Sequence, residues 1–133
     1  MTERSIATCH CGAVKISFEM EGGLDGLRRC DCSICRRKYP AAVSGRRDDV
    51  VIEQGAENLS TYQFGTMTAK HHFCKTCGIH VYHNRRSNPL EIGVNVACVE
   101  GLPPRIAGDA RWVDGVCTPT TPSASCRAPI SQG

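Results

Sequence analysis

The 133-residue chain has few aromatic side chains, 5% of its residues, and no convincing long amphipathic helical stretch. A helix bundle is therefore not expected. Thirteen glycines and seven prolines suggest many turns, so apolar burial alone is a thin account of the stability of the single domain that this length allows. No segment approaches the roughly 18 consecutive apolar residues of a membrane span, and the opening "TERSIATCHCG" lacks the apolar core of a secretory signal. A soluble, cytoplasmic protein without a membrane partner is expected. A large excess of one charge is also missing, the formal net charge being +3. The pairs Arg28-Arg29, Arg36-Arg37, Arg46-Arg47 and Arg85-Arg86 are scattered and not interleaved with aromatics, so a nucleic-acid partner is not expected.

What the chain does have is ten cysteines. Gaps of one and two residues in a reducing compartment favour ligands over disulfides. Three clusters stand out: Cys9-x-Cys11 in "CHCG", Cys30-x-Cys32-x-x-Cys35 in "CDCSICRRK", and Cys74-x-x-Cys77 in "FCKTCG". Seven ligands divide into four and three. Cys74 and Cys77 suit a tight knuckle, with backbone amides turned toward the sulfurs and Gly78 relieving the turn, and "CHCG" is the best source of the other two ligands. A closed structural zinc site from Cys9, Cys11, Cys74 and Cys77 is the expectation. Such sites contribute about 10 to 16 kcal/mol in zinc-finger peptides, against a net stability of roughly 5 to 15 kcal/mol for an ordinary domain.

Cys30, Cys32 and Cys35 are one ligand short of a closed tetrahedron, which is the pattern of a catalytic zinc with a replaceable fourth position. The fourth ligand is either a substrate or an internal residue, with Cys98 the main candidate. The five histidines have no supporting spacing. Two zinc ions per chain are expected.

Alternation of apolar and polar residues in "VKISFEM" and "LEIGVNVAC" predicts two strands, and "DVVIEQG", "NLSTYQF" and "IHVYH" read as further short strands separated by Gly, Asn and Asp turns. The class expected is mainly β and mostly antiparallel. Residues 117–133, rich in Thr, Ser and Pro, read as a flexible tail carrying the isolated Cys117 and Cys126, which leaves 1–116 as the domain.

The stretches "CHCGAVKISF", "CDCSICRRK", "YQFGTMTAKHHFCKTCGIHVYHNRRSNP" and "IGVNVACVEG", taken in this order, resemble the glutathione-dependent formaldehyde-activating (GFA) family, including its branch similar to centromere protein V. The resemblance covers roughly residues 9 to 101. It implies a β-tent-like fold of small antiparallel sheets, a structural zinc at Cys9, Cys11, Cys74 and Cys77, and a second zinc at Cys30, Cys32 and Cys35. It also implies a carbon-sulfur lyase or adduct-forming activity like that of S-(hydroxymethyl)glutathione synthase, acting on a small thiol such as glutathione and a small aldehyde. In one respect the chain departs from the family: Tyr39-Pro40 stands where members commonly carry a small residue, and this is expected to reshape the pocket wall.

The chemistry of the three-cysteine set agrees with such a reaction. Zinc held by three thiolates carries excess negative charge and activates water poorly, whereas a substrate thiol suits it as a soft fourth ligand whose pKa falls on binding. Arg28, Arg29, Arg36, Arg37 and Lys38 flank the cluster and are candidates for pairing with substrate carboxylates. The competing readings are a non-enzymatic zinc module that engages a protein partner, and a zinc store.

Overall fold

The computed structural model describes residues 4–38 and 41–113; Tyr39, Pro40 and the expected tail at 117–133, with Cys117 and Cys126, lie outside these. Ten short strands carry the fold. They are β1 (Ser5–Thr8), β2 (Lys15–Phe18), β3 (Arg28–Cys30), β4 (Ala42–Arg46), β5 (Val51–Gln54), β6 (Leu59–Tyr62), β7 (Lys70–Cys74), β8 (His80–Asn84), β9 (Glu91–Asn95) and β10 (Arg111–Val113). A four-residue helix, α1 (Cys35–Lys38), follows β3. Among the described residues no helix is long and apolar enough to cross a membrane.

The strands form two sheets, one ordered β1-β2-β5 and one ordered β10-β3-β4-β9-β8-β7-β6. The protein is mainly β, as expected. The second sheet, with seven strands, is larger than the small sheets anticipated, and its β10–β3 pair is parallel. Each predicted run contains a strand, but burial differs from one to the next. Ile16 and Phe18 of β2 are fully buried, as are Ile92 and Val94 of β9. Leu90, expected to continue that apolar face, lies outside the strand and is exposed. All four residues of β5 are exposed, because that strand is an edge of the smaller sheet.

Residues directly opposite each other on paired strands share a face of the sheet. On one face of the larger sheet Val43 lies opposite Val94, and Tyr82 opposite Val94 from the other side; these join Ile16 and Phe18 in one buried cluster. The other face carries the pairs Val113 with Cys30, Arg28 with Ala42, and His71 with His83. That second face is where the chemistry collects.

Candidate metal centres

Cys9 and Cys11 occupy the turn between β1 and β2, while Cys74 closes β7 and Cys77 lies in the turn that leads to β8. Both turns finish on a glycine in the left-handed region, Gly12 at φ 83° and Gly78 at φ 76°, a conformation that costs a residue with a Cβ. In each turn the glycine amide closes back on the first cysteine: Gly12 donates to the Cys9 carbonyl and Gly78 to the Cys74 carbonyl. The four sulfurs lie within 4.8 Å of one another, with Cys9 Sγ 3.7 Å from Cys11 Sγ and Cys11 Sγ 3.6 Å from Cys74 Sγ. A disulfide needs about 2.05 Å. Four thiolates about 2.3 Å from a tetrahedral ion stand about 3.8 Å apart, so the spacing fits a metal ion. Donors already face these sulfurs, since the Val14 amide reaches Cys9 and the Asn58 side-chain amide reaches Cys74. Amide donors at Cys77 and Thr76 lead the effects that hold the Cys74 thiol down to about 6, which favours the ligating thiolate.

The second cluster is built where β3 ends and α1 begins. Cys30 closes the strand, Cys35 opens the helix, and Cys32 lies in the turn between them; the three sulfurs also fall within 4.8 Å. Cys32 is held well below the usual thiol range because it accepts from Cys30 and Cys35 and from the Cys35 amide, while sharing those protons pushes Cys30 and Cys35 up. Each of the two cysteine sets could therefore hold a metal ion.

Cys98, the main candidate for an internal fourth ligand, is not among the sulfurs that gather there. It is buried with its thiol 3.6 Å from the His80 carbonyl, and burial pushes it up to about 11; the sulfurs that act on it are Cys9 and Cys77.

Cys30, Cys32 and Cys35 border a cavity of about 170 Å³. Ile34, Phe64 and Val113 supply apolar wall, and Arg28, Arg85 and Arg86 supply cations. Arg85 is nearly buried, donating to Ser44 Oγ at 3.1 Å and to Glu91 Oε2 at 3.2 Å, and Arg28 shares the same carboxylate at 3.8 Å. Two guanidinium groups against one carboxylate leave a net positive wall. Burial, the largest effect on Arg85, lowers it only to about 10, so it stays cationic at neutral pH.

Of the five flanking cations singled out from the sequence, Arg28 alone lines this cavity. Arg29 lies 5.6 Å over the Trp112 ring. Arg36 and Arg37 are exposed, Arg37 donating to the Ser33 carbonyl, and Lys38 turns inward to histidines. Sequence reasoning missed His71, His83 and Arg85 as cavity residues. Part of the signal was in the knuckle: a turn at residues 74–78 makes β7 and β8 a hairpin, but it is a bulge between His72 and Phe73 that brings His71 opposite His83, and the turn spacing alone would have set it opposite Tyr82.

The profile of the family described as glutathione-dependent formaldehyde-activating enzyme (GFA) matches residues 4–113. The chain belongs to the GFA family. A crystal structure of a Rhodobacter sphaeroides protein is similar to this GFA chain at 56% identity and a TM-score of 0.78, over 81% of this chain and 99% of that one. The GFA match takes in both cysteine sets and every strand described.

Proposed function

We propose that this GFA protein is a zinc-dependent enzyme that joins a small thiol to a small aldehyde, or cleaves the resulting carbon-sulfur bond, with glutathione and formaldehyde as the leading pair. The observation that carries the reading is a set of three converging sulfurs, Cys30, Cys32 and Cys35, at the edge of a cavity, separate from a four-sulfur set that can satisfy its own ion. Cys9, Cys11, Cys74 and Cys77 would hold the structural zinc, and Cys30, Cys32 and Cys35 the second. When bound, the second ion supplies a soft Lewis acid that favours the thiolate form of a thiol substrate.

The chain's own residues do the rest. Arg28, Arg85 and Arg86 give the cavity a positive wall for a carboxylate on the thiol, which suits glutathione. Ile34, Phe64 and Val113 exclude water from the reacting sulfur and carbon. The reaction in the forward direction forms one carbon-sulfur bond and turns the carbonyl oxygen into a hydroxyl, so the site must also deliver a proton to oxygen. A cytoplasmic setting accords with thiol ligands kept reduced.

Metal analysis of the wild type against Cys32→Ser tests the assignment. Two zinc ions per wild-type chain, one in the variant, an unchanged fold and lost turnover are the expected results. Unchanged turnover with the second zinc gone would show that the three-cysteine set is not catalytic.

A further inference from the structure

Lys38 ends α1 with its side chain largely buried; burial lowers it from the ordinary lysine value, and the sulfurs of Cys35, Cys32 and Cys30 oppose that and favour the ammonium. Its Nζ sits 2.9 Å from His71 Nδ1 and 3.3 Å from His80 Nε2. An ammonium group donates and cannot accept. His71 Nδ1 must therefore accept, and the ring proton is left on Nε2. That nitrogen is buried and has no partner among the described residues, although His71 forms part of the cavity wall shared with the three cysteines. A buried donor without an acceptor is uncommon, and in a cavity wall it points to a ligand atom that completes it.

We propose that Lys38 fixes His71 as an Nε2–H donor to the carbonyl oxygen of the aldehyde, and that the pair delivers the proton which that oxygen needs as the carbon-sulfur bond forms. The proposal rests on the thiol–aldehyde reading above. As the sulfur lone pair attacks carbon, the carbonyl π electrons move to oxygen. His71 gives its Nε2 proton to that oxygen and takes a proton from Lys38 at Nδ1. The proton lost by the next thiol enters at His71 Nε2 while Nδ1 returns its own to the Lys38 amine, which restores the ammonium and the Nε2–H tautomer. Lys38 is a positioning residue and proton source, and His71 the catalytic residue. The rings around them keep the geometry: His83 stacks on His71 with centroids 5.5 Å apart at 19°, and His80 lies 6.3 Å away. Burial, followed by the Lys38 charge, holds His71 down to about 4, so at neutral pH it donates as a neutral imidazole.

Long-range proton–nitrogen NMR on the zinc-loaded full chain reads the tautomer directly, with formamide as an unreactive carbonyl probe. The wild type is expected to show His71 in the Nε2–H form and a saturable shift of that proton with formamide. Lys38→Met should mix the tautomers, abolish the formamide response and lower kcat by about 100-fold with KM for the thiol unchanged, while Lys38→Arg restores the tautomer and part of kcat. His71→Gln keeps a donor but cannot relay a proton, so it should retain the Lys38→Met loss in kcat. An Nδ1–H tautomer in the wild type, or a tautomer and kcat indifferent to Lys38→Met, would overturn the relay. Wild-type protein with the stated tautomer and formamide shift but no thiol–aldehyde turnover would instead overturn the functional reading and keep the carbonyl donor.

Discussion

His71, His80 and His83 lie within one patch, and burial, followed by the Lys38 charge, lowers all three below the ordinary imidazole value of 6.5. The sign for stability follows directly. Above pH 6.5 these rings are neutral in folded and unfolded chain alike, so their contribution is complete; as pH falls from 6.5 through about 4, the unfolded chain takes up protons that folded His71 refuses, and stability drops. Urea midpoints at pH 7.5 and 5.5 should therefore fall further in wild type than in His71→Gln. Acid release of metal acts on both chains and cancels in the comparison. Equal losses would mean that His71 is not held neutral. Gly93 gives a second test, because it lies opposite His83 and an added Cβ would stand 2.5 Å from His83 Cε1. Gly93→Ala should cost about 1 to 3 kcal/mol by overpacking, seen as a lower thermal midpoint, and an unchanged midpoint would contradict the packing. None of this was legible in the histidines themselves, whose sequence spacing is that of no metal motif. Their burial comes from the β7–β8 register.

The two cysteine turns were legible, and for a physical reason: a Cys-x-x-Cys-Gly or Cys-x-Cys-Gly turn is local, so sequence spacing already contains most of its geometry. The alternating strands were legible on the same ground, since β2 and β9 each fall within a run whose period is that of a pleated strand. β3 was not. "RRC" reads as a cation pair beside a ligand, and it becomes a strand only through its partners β4 and β10, the latter 83 positions further on at each matched pair from Arg28 with Arg111 to Cys30 with Val113. The placement of Arg29, Arg36 and Arg37 away from the cavity follows from that strand and the helix after it. The consequence for the two metal sets is a difference in kind. Cys77→Ser removes a thiol from the set that brings the β1–β2 turn to the β7–β8 turn, and should cost most of the net stability of an ordinary domain if that set holds its proposed zinc, with loss of near-ultraviolet circular dichroism at neutral pH. Cys32→Ser should leave that signal intact. Equal unfolding by both variants would show that the sets do not divide into structural and catalytic.

Across the larger sheet, one face carries the buried cluster with Val43 and Val94, and the other carries His71, His83, Arg28 and Cys30. β7 links the two metal sets, because it ends in Cys74 of the first and carries His71, which Lys38 reaches from the helix that starts at Cys35 of the second. One sheet and the helix after β3 thus bring three sulfurs, a positive wall and the His71 ring around one cavity of about 170 Å³. Family membership was legible from the order of the cysteine motifs; the cavity was not, because its residues come from strands far apart in sequence. The central claim is that this cavity accelerates the union of thiol and aldehyde. Exchange NMR of glutathione with formaldehyde, recorded with zinc-loaded wild type, with Cys32→Ser and without protein, tests it most directly. Exchange faster than the spontaneous rate is expected with wild type alone; exchange with wild type no faster than in buffer would show that the cavity does not catalyse this union.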